Sequence, residues 1–160
     1  MRVVKQKDCD ITEISSALLR GETIVYPTET CYGLGCYATN QAAVDKIFRI
    51  KGRREDKPLL VIVPNTKMVQ EYAEWATLLS DIEQRYWPGP LTVVVTAKKD
   101  CGLADGVVAK DGTIAIRVTA HPLARGIVES LGKPLVSTSA NRSGVRRKWR
   151  RSSSQRPEVP

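Results

Sequence analysis

Three short segments of this chain carry side chains suited to binding small polar molecules. The first is Pro27–Leu34, with the sequence PTETCYGL, which follows a strand-like apolar run. The second places Lys51 and Arg53 two positions apart, and the third is Ser137–Asn141, in which every residue is small or polar. Hydroxyls and amides suit close contact with a ligand, and a lysine near an arginine can clamp phosphates. Together these residue types indicate recognition of a polar or anionic ligand.

Each segment also has a plainer interpretation. The first can be an ordinary turn after a strand, the basic stretch from Lys51 to Lys57 can be a solvated surface, and the third can be a bare turn. No single segment decides between a site and a turn. Whether the three segments form one site depends on the helices and strands that position them.

Hydrophobic periodicity predicts helices and strands that alternate along the chain. A capping box at Asp10–Glu13 begins a first helix that stops at Gly21, and Asn40 caps a second helix that leads into the basic stretch. Further helices are expected over 66–73, 77–87 and 122–132, strands over 23–26, 59–63, 91–96, 113–118 and 134–138, and a loop over 98–111. The uniformly apolar runs 59–63 and 91–95 indicate strands buried on both faces. This pattern predicts one α/β domain on a twisted, mostly parallel or mixed sheet with helices on both sides.

One predicted strand carries a charged residue in a regular place. Over 113–118 the side chains alternate, so Thr113, Ala115 and Arg117 share a face. An arginine on that face needs an anion or water. The periodicity leaves both open.

Composition limits the class of protein. The chain has 160 residues, 42% of them hydrophobic, and no apolar run approaches the roughly 20 residues of a membrane span. Its first residues lead into polar sequence and not into the apolar core of a signal peptide. We expect a cytoplasmic protein with no membrane partner.

The cysteines and the single histidine disfavour two kinds of site. The four cysteines form no Cys-x-x-Cys pair, and His121 is the only histidine, so a zinc site lacks a frame and free thiols in a reducing compartment are expected. A nucleophilic triad would need His121, which directly precedes Pro122 at a predicted helix start. We expect no metal ligands from protein side chains and no catalytic triad.

The formal charge of +8 is unevenly spread. Residues 145–160 hold six cations and one anion, which leaves 1–144 with a charge of only +3. A modest positive excess suits an anionic small molecule as well as a nucleic acid. We expect a globular domain over 1–144 and a basic, disorder-like tail over 145–160.

The three segments occur in one order, with WPGPLT at 87–92 and IAIRV at 114–118 between the second and third. In that order they resemble the YrdC-like family of threonylcarbamoyl-AMP synthases, over about residues 11–144. The resemblance implies a fold with a deep positive cavity. It also implies an enzyme that joins L-threonine, bicarbonate and ATP, with Mg²⁺ accompanying ATP, into threonylcarbamoyl-adenylate and pyrophosphate. This is the first step of the t6A modification of tRNA, and it needs no tightly bound cofactor.

The resemblance also assigns roles to individual residues. The implied catalytic and phosphate-binding residues are Lys51 and Arg53, the other nucleotide-side residues are Thr113, Ser139 and Asn141, and the threonine-side residues are Thr30, Arg117 and Thr138. The arginine would hold the threonine carboxylate through two parallel hydrogen bonds. Downstream t6A transfer proteins are the implied partners.

The resemblance stops at Gly144. Members of the family continue there with further helix and strand and a glycine-rich Ser-Thr stretch, whereas 145–160 shows no apolar periodicity. We hypothesise that a frameshift or truncation in the gene produced the tail, which would put the activity of the shortened chain in question.

Two other functions fit parts of the sequence. One is an RNA-binding module, double-stranded RNA included, in which the basic tail and Trp149 supply phosphate and stacking contacts. The other is a carbamoyl-transfer relative like those in hydrogenase maturation proteins, which are longer chains with zinc-finger-like cysteines that this sequence lacks.

Overall fold

A computed structural model describes residues 2–52 and 57–141. Its helices are α1 (Ile11–Leu19), α2 (Gln41–Lys51), α3 (Thr66–Tyr72), α4 (Thr77–Tyr86) and α5 (Pro122–Leu131), with a 3-10 turn at Gln6–Asp8. Its strands are β1 (Ile24–Tyr26), β2 (Gly33–Gly35), β3 (Val61–Val63), β4 (Val93–Thr96), β5 (Thr113–Val118), β6 (Leu135–Val136) and β7 (Thr138–Ser139). Every helix and strand expected from the sequence is present, with ends shifted by a few residues.

The described strands form two sheets. A four-stranded sheet has the order β4-β5-β3-β6, and a three-stranded sheet has the order β1-β2-β7. The expected α/β domain with mixed strand pairing is confirmed, but the mostly parallel alternative is not, because only β3 and β5 pair in parallel. The expected strand over 134–138 is two strands: it pairs with β3 before Ser137 and with β2 after it.

Helices cover both faces of the four-stranded sheet at its centre. Val61 and Val63 of β3 point into a cluster with apolar residues of α2, α3 and α4, and Ile62 points to the opposite cluster with α1 and α5. All three β3 residues are almost fully buried. A strand buried on both faces is what its unbroken apolar run predicts.

The same prediction is wrong for β4. This strand lies at the edge of its sheet, its burial alternates, and Val94 is 68% exposed. The physical reason is that the helices do not extend over this part of the sheet. On the face to which Ile62 points, α5 packs against β3, and no described helix covers the end formed by β4. Ala115 pairs with Val94, and Arg117 lies on the same side of β5 as Ala115, so this face stays accessible next to Arg117.

Helix caps fix where α1 and α2 start, and α2 carries Lys51 of the second segment. Asp10 accepts hydrogen bonds from the backbone N–H of Thr12 and Glu13, and Asn40 accepts one from Ala43 at 3.1 Å, both as predicted. Gly52 ends α2 in the left-handed conformation, with a φ of +56°. The cap at Asn40 therefore fixes where α2 starts, and Lys51 lies in the last turn of this helix.

No helix in the described part of the chain is long and apolar enough to cross a membrane.

Candidate functional site

Strand pairing brings the first and third segments together. The register places Gly33 opposite Ser139 and Leu34 opposite Thr138. Next to them, a Cβ atom added to Gly35 would clash with the carbonyl oxygen of Val136 and with the ring of Tyr26. Glycine is needed here for close backbone approach, because the chain crosses between the two sheets at this point.

A cavity of about 240 Å³ lies where the two sheets meet. Hydroxyls, a guanidinium and a few apolar atoms form its wall, which consists of Thr28, Thr30, Cys31, Gly33, Pro58, Leu60, Arg117, Ser137, Thr138 and Ser139. The wall thus draws on the first and third segments, on β5 and on the residues before β3. Such a mixture fits a small polar ligand.

Arg117 is the cation in this wall, and its orientation is fixed by neighbours. Its Nε and Nη2 atoms donate to the hydroxyl of Thr92 at 3.0 and 2.9 Å. Its Nη1 atom donates a longer hydrogen bond of 3.4 Å to the hydroxyl of Thr30. Since Thr92 takes the Nε/Nη2 edge, the Nη1/Nη2 edge is the one that can receive a carboxylate.

The loop that carries Thr30 is built around Thr28. The Thr28 hydroxyl donates to the carbonyl oxygen of Cys31 at 2.6 Å and accepts from the backbone N–H of Thr30 and of Cys31 at 3.2 Å. A threonine that bonds its own loop in this way closes a tight turn. The turn sets the Thr30 hydroxyl toward Arg117.

Lys51 is hydrogen-bonded to the third segment. Its side chain is buried, and its ammonium donates to the backbone carbonyl oxygens of Ser139 and of Asn141, the latter at 2.8 Å. It is absent from the cavity wall described above. In the described structure Lys51 therefore holds the segment that contributes Ser139, and its role toward phosphates stays a prediction.

The structure brings together some of the expected site residues and not others. Thr30, Arg117, Thr138 and Ser139 line one cavity. Thr113 lies at the start of β5, about 13 Å along the strand from Arg117, and its hydroxyl donates to Asp111 at 2.7 Å.

Two further site assignments also stay predictions. Asn141 is half-buried beside Lys51 and outside the wall. Arg53 lies outside the described residues, as does the tail over 145–160 with Trp149.

The thiol of Cys36 and the phenol of Tyr26 are both buried and neutral. Burial raises the pKa of Cys36 to about 12 and raises that of Tyr26 above its ordinary value. The Tyr26 hydroxyl donates to the Val136 carbonyl oxygen at 3.4 Å. All four cysteines are free thiols, as expected. A buried thiol with a raised pKa is a poor nucleophile, so Cys36 is part of the core.

Three polar residues at the site were not assigned from the sequence. Thr92 holds Arg117, Glu29 lies 3.5 Å from the Arg117 Nη1 atom, and Thr119 donates to Glu29 at 2.9 Å. Each had a local signal, because Glu29 and Thr92 lie inside the quoted motifs and Thr119 directly follows the Arg117 strand. Their partners are distant in sequence, so only the fold could pair them.

These features define a class: an α/β domain with a small-molecule cavity between two sheets, walled by hydroxyls around one oriented arginine. The Sua5_yciO_yrdC family model, described as "Telomere recombination", matches residues 16–155. The threonylcarbamoyl-AMP synthase of Photobacterium profundum is 39% identical over 140 residues, which cover 85% of this chain and 74% of the relative. That of Thiobacillus denitrificans is 43% identical over 128 residues, which cover 79% of this chain and 67% of the relative. This chain belongs to the Sua5/YciO/YrdC family.

A solved structure agrees with this membership. P. abyssi Sua5 complexed with L-threonine matches with a TM-score of 0.77 and 31% identity, over 90% of this chain. This chain spans 41% of that one. The comparison supports the fold.

Proposed function

We propose that this chain is an L-threonylcarbamoyladenylate synthase, which forms threonylcarbamoyl-AMP and pyrophosphate from L-threonine, bicarbonate and ATP. Relatives that are 39% identical over 140 residues and 43% identical over 128 residues are named for this product. A related structure contains L-threonine. The proposal makes the protein a nucleotidyltransferase that acts before t6A transfer proteins on the route to modified tRNA, in the cytoplasm.

The observation that carries the proposal is the orientation of Arg117 in a cavity of about 240 Å³. Arg117 lines the cavity, and its Nε/Nη2 edge bonds Thr92, which leaves its other edge to pair with the carboxylate of an amino acid. The Thr30 hydroxyl lies 3.4 Å from the same guanidinium and can bond a substrate hydroxyl. The Thr138 hydroxyl belongs to the same wall.

Nucleotide binding is assigned to the third segment and the basic stretch. Lys51 donates hydrogen bonds to the carbonyl oxygens of Ser139 and Asn141, and Arg53 follows Lys51 by two positions. Thr113 is proposed as a more distant nucleotide contact. ATP enters with Mg²⁺ as part of the substrate.

The reaction fits a site built of cations and hydroxyls. The amine of L-threonine condenses with bicarbonate to a carbamate with loss of water. A carbamate oxygen then attacks the α-phosphorus of ATP and pyrophosphate leaves, so negative charge develops on phosphoryl oxygens. Arginine, lysine and the substrate's magnesium stabilise that charge, and no nucleophilic side chain is required. One well-placed cation contributes about 2 to 4 kcal/mol to such a transition state, by analogy with an oxyanion donor.

The direct test is release of pyrophosphate on incubation with ATP, bicarbonate and L-threonine, with each omitted in turn. Pyrophosphate that requires all three, together with a threonine-labelled adenylate, supports the proposal. Arg117→Ala should abolish the reaction, and Arg125→Ala should not, because Arg125 pairs with Glu129 on the surface of α5. Pyrophosphate release that ignores threonine would reject this function and favour the carbamoyl-transfer alternative.

RNA binding is the second function, and it concerns the basic residues over 145–160. Deleting them and measuring affinity for tRNA and for double-stranded RNA at two salt concentrations separates contacts of the tail from contacts of the cavity. An affinity that survives the deletion places RNA on the folded domain.

A further inference from the structure

Glu29 is a largely buried carboxylate between two residues of the cavity wall, Thr28 and Thr30. Its side chain is 15% exposed, and its Oε1 atom is fully buried, with no hydrogen-bond donor in the described part of the chain. That atom lies 3.5 Å from the Nη1 atom of Arg117, whose side chain is 13% exposed. A buried charge is costly unless an opposite charge compensates it. Glu29 and Arg117 provide that compensation for each other.

The other carboxylate oxygen is oriented by Thr119. The Thr119 hydroxyl accepts from the backbone N–H of His121 at 3.3 Å and donates to Glu29 Oε2 at 2.9 Å. A backbone N–H can only donate, so the single hydroxyl proton of Thr119 is left for the carboxylate. Thr119 has no exposed surface, and its geometry is fixed by the chain between β5 and α5.

Arg117 is thus held from two sides. Thr92 accepts hydrogen bonds from Nε and Nη2, and the Oε1 atom of Glu29 lies 3.5 Å from Nη1. Two contacts at different edges define both the position and the plane of a guanidinium, which a single contact does not.

We propose that Glu29 and Thr119 are positioning residues: they hold the Arg117 guanidinium in the plane that receives the carboxylate of an amino-acid substrate. The inference rests on the proposed function for the identity of the substrate and deepens it. A ligand in the cavity touches Arg117 and does not touch the enclosed Glu29 Oε1, so the effect of Glu29 passes through Arg117.

The test uses variants that change charge or hydrogen bonding with little change in shape. Glu29→Gln removes the charge beside Nη1 and keeps an acceptor for Thr119. Thr119→Val removes the hydroxyl, and Thr119→Ser restores it. Glu129→Gln is the matched control, because it removes a carboxylate paired with an arginine, at 2.8 Å, on the exposed side of α5.

Two readouts are needed. The first is the ¹⁵N-resolved side-chain Nε–H signal of Arg117 without substrate, which reports its position whatever the protein binds. The second is L-threonine affinity by calorimetry, with the KM values for threonine and ATP measured separately.

We expect Glu29→Gln to shift the Arg117 signal and to weaken threonine binding about tenfold or more, with the KM for ATP within about twofold. Thr119→Val should act in the same direction, and Thr119→Ser and Glu129→Gln should match the wild type.

Several outcomes decide whether Glu29 and Thr119 position Arg117. An unshifted Arg117 signal in both Glu29→Gln and Thr119→Val overturns the proposal, as does unchanged threonine affinity in both. If the wild type binds no threonine but the signal shifts, the positioning of Arg117 stands and the proposed function fails. If Glu29→Gln does not fold, the comparison of Thr119→Val with Thr119→Ser decides alone.

Discussion

The Nζ atom of Lys51 donates a hydrogen bond to the carbonyl oxygen of Asn141 at 2.8 Å, across 90 residues of sequence. The same ammonium also bonds the Ser139 carbonyl oxygen. One buried cation at the end of α2 therefore fixes the end of β7 and the residues directly after it, and it links the second sequence motif to the third.

Replacing Lys51 with methionine should lower stability and activity together. Methionine keeps much of the aliphatic stem but leaves the carbonyl oxygens of Ser139 and Asn141 without this donor. We expect a loss of about 1 to 3 kcal/mol in the free energy of unfolding and a raised KM for ATP, because the nucleotide-side segment loses its support. Urea unfolding and pyrophosphate release measure the two effects.

Lys46→Met is the control, because Lys46 is an exposed residue of the same helix. It should change stability by no more than about 0.5 kcal/mol. A Lys51→Met variant as stable as the wild type would remove the supporting role of Lys51, and one with wild-type turnover would remove it from the site altogether.

Replacing Arg117 with lysine should weaken threonine binding although the charge is kept. A lysine ammonium is a point donor, so it cannot bond Thr92 with one edge and a carboxylate with the other. We expect a loss of about 1.5 to 3 kcal/mol, the range for hydrogen bonds to charged groups, measured by calorimetry with L-threonine. Arg125→Lys, which changes an exposed partner of Glu129, should bind as the wild type does. Equal affinities in the two variants would show that the carboxylate binds elsewhere.

Local patterns in the sequence predicted the elements well. Asp10 and Asn40 cap their helices as expected, and the alternation over 113–118 correctly placed Arg117 on one face of a strand. These features depend on neighbours within a few residues, so a linear sequence contains them. The resemblance carried by the motifs further implied one site for eight residues, and four of them, Thr30, Arg117, Thr138 and Ser139, line one cavity. Lys51, Thr113 and Asn141 lie outside the wall of that cavity, and Arg53 lies outside the described residues.

Features that depend on distant neighbours were not predictable in this way. The apolar run at 91–95 gives no sign that β4 is an edge strand, because edge position depends on which strands pair and where the helices reach. The division of 134–138 between two sheets likewise depends on the partners β3 and β2. Glu29 and Thr119 are 90 residues apart, and their contact exists only after both sheets have formed.

Gly35→Ala should destabilise the crossing between the two sheets. The new methyl group would meet the Val136 carbonyl oxygen and the buried ring of Tyr26, neither of which is a free side-chain end. Overpacking of this kind costs about 1 to 3 kcal/mol or more, measured as a lower urea midpoint. Gly102→Ala is the matched control: its φ is +73° but nothing lies within 4 Å of the added atom, so only the backbone cost of about 1 kcal/mol applies. Gly35 does not have a positive φ, so Gly35→Ala carries no such backbone cost. A loss at Gly35 no larger than the loss at Gly102 would contradict the close approach.

Stability should fall at alkaline pH because of Cys36. Burial raises the pKa of this thiol from 9.0 to about 12 in the folded protein, so the thiol stays neutral there while the unfolded chain ionises. The contribution is complete below pH 9 and is lost as the pH rises toward 12, with a slope of up to about 1.4 kcal/mol per pH unit. Urea unfolding of the wild type and of Cys36→Ala between pH 8 and pH 10.5 measures it. The variant will be less stable at pH 8 but should lose less stability on alkalinisation, and parallel curves for the two proteins would contradict the assignment.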